Sequence, residues 1–77
     1  MQNPTEAKRV IEAALLASTE PLSLNDLKRL FDDEIDPDTL RRLLDELRED
    51  WSGRAVELAN LASGWRFQTR PDFQPFI

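Results

Sequence analysis

The side chains able to do chemistry in this chain are nearly all carboxylates. Its 77 residues hold fifteen Asp and Glu against ten Lys and Arg, with neither histidine nor cysteine. No Ser/His or Cys/His pair is present to activate a nucleophile, and no thiolate or imidazole to bind a metal. The only two glycines, Gly53 and Gly64, are too far apart to cradle a phosphate. Adjacent acids such as Asp32 and Asp33, or Glu49 and Asp50, can share a proton or attract a cation, but in so acidic a chain they read as surface groups. Asp32, Asp33, Glu34, Asp36 and Asp38 lack the ligand spacing, central glycine and terminal glutamate of a calcium loop. The sequence predicts no catalysis, no metal and no cofactor.

What remains is binding. The net charge of −5 is unevenly spread. Residues 20–50 carry eleven acids and five bases, whereas residues 51–77 carry two and three. That balance argues against a nucleic-acid backbone as the main ligand, and leaves either a solvated surface or one that steers a basic partner. No apolar run is long enough for a membrane span, and the N-terminus lacks a signal pattern, so the expected location is the cytoplasm.

The elements that must position any binding residues can be read from caps and periodicity. Asn3, Pro4 and Glu6 form a helix start, and Ala7, Val10, Ile11, Ala14 and Leu15 follow at the spacing of one buried stripe. Ala13, Leu16 and Ala17 widen that stripe, predicting a helix over 4–18 covered on more than one side. Pro21 closes it. Ser23 with Asp26 caps a second helix over 24–31, marked by Leu24, Leu27, Leu30 and Phe31. Asp32, Asp33 and Glu34 are ill-suited to a helix C-terminus and read as a loop. Asp36 and Pro37 open a third helix to residue 50, with Leu40, Leu43, Leu44 and Leu47 as its stripe. Arg41 and Arg42 are expected to pair with Asp45 and Glu46 at i,i+4.

After Gly53 the period falls to two. Val56 and Leu58, then Trp65, Phe67 and Thr69, alternate with more polar neighbours about a turn at Ala62–Gly64, predicting a β-hairpin over 55–69. Three helices followed by a hairpin is the order of an α+β winged helix-turn-helix domain. A short strand at Pro21–Ser23 can pair with the wing. Leu15, Leu27, Leu40, Leu43, Leu44, Leu47, Val56 and Phe67 are the expected core. The fold invites a DNA-binding reading, with residues 37–50 as recognition helix. That helix offers Arg41, Arg42 and Arg48 against five acids, a net −2 that phosphate would repel. A winged-helix transcription regulator is therefore the alternative function, and protein–protein interaction the leading one.

The large apolar side chains late in the chain carry that reading. Phe67 is assigned to the core, and Trp65 divides between core and interface. Phe73, Phe76 and Ile77 are too apolar for a tail that needs only to be soluble. The expected dimer or partner interface is Trp65, Phe73, Phe76 and Ile77, with Trp51.

One stretch is more specific than the fold. Gly64-Trp65-Arg66-Phe67-Gln68-Thr69-Arg70-Pro71 resembles the Gly-aromatic-Arg-Phe-Gln-Thr-Arg-Pro stretch of the segregation and condensation protein B (ScpB) family, in its N-terminal winged-helix domain. The residues Arg9 to Ser18, Glu20 to Ser23 and Gly53 to Leu58 are similar to that family's opening helix, following turn and strand into the wing. The resemblance covers nearly the whole chain. It implies a non-enzymatic adaptor of a bacterial SMC–kleisin complex in chromosome condensation and segregation, without cofactor. It implies a homodimer built on this domain, a ScpA-like kleisin as partner and the SMC ATPase reached through it; the charge balance and the lack of an apolar span add no direct specific nucleic-acid binding and no membrane. It also implies a winged-helix domain over 1–70 and a tail over 71–77 leading toward a second domain that this sequence does not contain. In the family the second domain supplies much of the kleisin-binding surface.

Overall fold

Side-chain caps set the helix starts in the computed structural model, which describes residues 3–77. Helix α1 spans Pro4–Ala17, and Asn3 Oδ1 accepts from the Glu6 amide at 2.8 Å. Helix α2 spans Leu24–Arg29 and opens on a reciprocal capping box between Ser23 and Asp26. The Ser23 amide bonded to the Asp26 carboxylate, with the Ser23 hydroxyl and then Arg29 adding to it, holds that carboxyl below its ordinary pKa. Helix α3 spans Pro37–Asp50, capped by Asp36 on the Thr39 amide at 3.2 Å. Helix α2 ends two residues earlier than expected. Leu30 and Phe31 continue it only as a turn, and Asp32 and Asp33 then take positive φ values of 55° and 61°.

The leucine stripe of α3 is the centre of the molecule. Leu40, Leu43, Leu44 and Leu47 are buried together with Ala7, Ile11 and Leu15 of α1, Leu27 of α2, and Phe31. No polar or charged residue is buried among the described residues. Ala13, Leu16 and Ala17 are exposed, contrary to the expectation that α1 is covered on more than one side. Only one stripe of α1 meets the layer formed by α3 and the hairpin.

Strands β1 (Val56–Leu61) and β2 (Gly64–Thr69) pair antiparallel, with Leu58 opposite Phe67 and Asn60 opposite Trp65. Cross-strand partners share a face, so Val56, Leu58, Trp65, Phe67 and Thr69 lie on one side, as the alternation predicts. The burial differs from the expected core in detail. Leu58 and Trp65 are buried, whereas Val56 and Phe67 are half-buried. Val56 faces Thr69 at the open end of the hairpin, and Phe67 lies at the rim against Trp51. Leu22 pairs with Trp65 as a single antiparallel bridge, exchanging two hydrogen bonds of 2.8 Å. That bridge ties the link between α1 and α2 to the wing and completes the winged-helix arrangement.

Ion pairs differ from the expected register. Arg41 binds Asp38 at 3.1 Å and Arg48 approaches Asp45 at 4.0 Å, both one turn apart at i,i+3. Glu46 instead joins Asp50 around Lys8 of α1, at 3.6 and 2.9 Å. The Lys8 ammonium is raised above its ordinary pKa, chiefly by the hydrogen bond to Asp50. Lys8 thus draws the acids of α3 toward α1, which leaves Arg42 without a carboxylate partner among the described residues.

Candidate protein-interaction surface

Arg70 organises the end of the chain. Its Nε donates to the Arg54 carbonyl at 2.5 Å, Nη2 to the Trp51 carbonyl at 3.1 Å, and Nη1 to Glu57 Oε1 at 3.3 Å. Its own amide donates to the Ala55 carbonyl at 2.9 Å. One planar guanidinium therefore joins the turn after α3, the first strand and the exit from the second. Pro71 follows and starts a 3-10 helix, Pro71–Phe76. Gln74 Nε2 donates back to the Thr69 carbonyl at 3.2 Å, fixing that helix against the end of the wing.

This anchoring leaves the apolar tail uncovered. Phe73 is 43% exposed, Phe76 84% and Ile77 94%. All three follow the open end of the hairpin, and none belongs to the buried core. The tryptophans are placed otherwise. Trp65 is 6% exposed, packed in the core with the Arg48 guanidinium 4.9 Å from its ring centroid. Trp51 is half-buried. Its ring lies 4.6 Å from Phe67, its Nε1 donates to Glu12 Oε2 at 2.8 Å, and the Arg54 guanidinium covers it at 4.7 Å. The five residues expected to share a surface are thus divided between an exposed trio and two rings lodged within the fold. Sequence reasoning noted the Arg-Pro pair but not what Arg70 holds. Its acceptors are two backbone carbonyls and a carboxylate thirteen residues away, which no local pattern reveals. Glu12 was likewise missed, because its partner Trp51 is 39 residues distant.

The outer face of α3 does not suit DNA. Asp38, Asp45, Glu46, Glu49 and Asp50 are all exposed beside Arg41, Arg42 and Arg48. Arg48 is drawn onto Trp65 and Arg41 onto Asp38. Affinity for duplex DNA is expected to be negligible at physiological salt, as fluorescence anisotropy would show. Tight binding that weakens steeply with added salt would reverse that expectation. Among the described residues no group of three or more acids, histidines or cysteines is arranged to hold a metal ion, and no helix is long and apolar enough to cross a membrane.

Comparison with known proteins agrees with this architecture. The family model described as segregation and condensation complex subunit ScpB matches residues 9–77. A segregation and condensation protein B homolog of Coxiella burnetii is 51% identical over 72 residues, covering 91% of this chain and 34% of that protein. The segregation and condensation protein B of Syntrophotalea carbinolica is 35% identical over 74 residues, covering 94% and 36%. The chain therefore spans about a third of the length of these curated relatives. Among solved structures, ScpB from Mycobacterium tuberculosis superimposes with a TM-score of 0.84 at 28% identity, over 99% of this chain and 48% of that one. A dimer of a ScpB N-terminal domain complexed with ScpA peptide superimposes with a TM-score of 0.81 at 25% identity, over 99% and 88%. With the fold, the wing sequence and a match over residues 9–77 in agreement, this chain belongs to the ScpB family of segregation and condensation complex subunits.

Proposed function

We propose that this domain is a non-enzymatic, cytoplasmic adaptor that dimerises and takes part in binding a ScpA-like kleisin. Through the kleisin it joins an SMC ATPase in chromosome condensation and segregation. The observation that carries this reading is the exposed apolar trio Phe73, Phe76 and Ile77. Residues 1–70 act as the winged-helix unit, and residues 71–77 as a tail that meets a partner surface. A twofold interface uses one patch twice, so a single cluster of this kind suffices. Trp51 holds the start of the tail through its carbonyl, which accepts from Arg70, whereas Trp65 lies at the turn end of the hairpin, away from the tail. The solved dimer of a ScpB N-terminal domain, complexed with ScpA peptide, supports both halves of the proposal.

Sedimentation equilibrium tests it. The chain is expected to form a reversible dimer, and a ScpA fragment is expected to add to its mass. Phe76→Ser should weaken the dimer by about tenfold, equivalent to ~1.4 kcal/mol, with the helical circular dichroism unchanged. A single monomeric species persisting into the high micromolar range would refute the dimer. Unchanged mass on adding the fragment would refute kleisin binding by this domain.

A further inference from the structure

A second surface lies at the other end of α3. The starts of α1 and α3 and the loop between α2 and α3 enclose an open groove of about 350 Å³. Its lining is mixed: Pro4 and Ala7 of α1, Phe31 and Ile35 of the loop and Leu43 of α3 are apolar, and Asn3 and Thr39 are polar. Ala7, Phe31 and Leu43 are buried at its floor, while Ile35 is half-buried. Glu34 stands on its edge and continues the acidic run 32–38. The carboxylates of that run are not equivalent. Asp36 is engaged in capping α3, and Asp38 is paired with Arg41. Asp32, Asp33 and Glu34 are exposed and have no cationic partner among the described residues. The Asp33 amide donates to the Lys28 carbonyl at 3.0 Å and the Glu34 amide to the Phe31 carbonyl at 3.0 Å, which fixes the loop against the end of α2.

We propose that this groove docks a segment of a protein partner bearing one bulky apolar side chain flanked by lysine or arginine. The apolar floor takes the anchor, and Glu34 at the edge, with Asp32 and Asp33 exposed beside it in the same loop, meets the flanking cations. Charge complementarity of this kind selects the partner and speeds encounter. The site is separate from the tail. Leu43 and Thr39 precede Trp51, where Arg70 is anchored, by a helical rise of roughly 12–18 Å. It therefore stands whether or not the tail forms a dimer.

The probe is the synthetic peptide acetyl-Gly-Lys-Lys-Phe-Lys-Lys-amide, with glutamate replacing lysine in its control. Titration into 15N-labelled chain is expected to shift the amides of Ala7, Phe31, Ile35 and Leu43 for the lysine peptide only. Removing charge without shape, by Asp32→Asn, Asp33→Asn and Glu34→Gln together, should weaken binding at least about fivefold, and Ile35→Ala by a similar factor. Glu49→Gln, near the far end of α3, should leave it within about twofold. Equal losses from Glu49→Gln and the triple variant, or shifts spread over the whole acidic surface, would overturn the proposal as nonspecific charge attraction. Absence of shifts at millimolar peptide would overturn it as well. So would the same amides moving with protein concentration alone, because the occupant would then be a second copy.

Discussion

Leu44→Ala is expected to lower the free energy of unfolding by about 2–5 kcal/mol. Leu44 is fully buried and sits in the stripe that α1, α2 and the wing all cover. Truncation removes the transfer energy of the lost atoms and leaves a cavity that rigid neighbours fill only in part. A domain of this size, without disulfide or metal, rarely has more than about 3–5 kcal/mol to lose. The variant should therefore be largely unfolded at room temperature, or nearly so, in a urea titration followed by circular dichroism. Leu30→Ala supplies the contrast. Leu30 is 43% exposed, and its loss should stay within about 0.5 kcal/mol. Equal effects at the two positions would mean that the leucine stripe of α3 is not the core.

The scaffold was legible because its signals are local. Asn3, Ser23 and Asp36 each cap a helix within three residues, and the change from helical to alternating periodicity marks the wing. The α3 stripe was legible for the same reason. What escaped was anything decided by distant partners. Ala13, Leu16 and Ala17 look like core in sequence, yet all three are exposed in the fold. Val56 alternates correctly, but its partner Thr69 lies at an open end, so the right face did not bring burial. Arg41 and Arg42 had carboxylates at the favoured helical spacing, and Lys8 from another helix took Glu46 instead. The residues expected at an interface show the same division. The apolar character of Phe73, Phe76 and Ile77 is visible in sequence. Their presentation depends on Arg70 reaching Trp51, Arg54 and Glu57, which sequence spacing does not disclose. Trp65 could not be assigned from its neighbours, because its burial follows from the bridge to Leu22 across 43 residues.

That bridge makes Gly64 the least replaceable residue of the wing. Gly64→Ala is expected to cost about 3 kcal/mol or more, from two sources that add. The backbone at Gly64 has φ of +134°, a conformation that side-chain-bearing residues rarely adopt. A Cβ there would also lie 2.5 Å from the Leu22 carbonyl oxygen, 2.6 Å from its carbon and 2.9 Å from the Ser23 nitrogen. These are backbone atoms and cannot swing aside. The link between α1 and α2 would have to move off the wing, breaking the two hydrogen bonds between Leu22 and Trp65. The Trp65 amide and carbonyl would lose their partners at a buried position, and the ring would lose its seat in the core. Gly53 separates the two sources. Its φ is +80°, but nothing lies within 4 Å of an added Cβ, so Gly53→Ala carries backbone strain alone, on the order of 1 kcal/mol. Urea denaturation of both variants, with hydrogen exchange at the Trp65 amide, distinguishes the effects. The Gly64 variant should lose at least about 2 kcal/mol more than the Gly53 variant, and Trp65 protection should fall only in the former. Equal losses with Trp65 still protected would mean that the close approach of the Leu22 backbone contributes nothing to holding the wing.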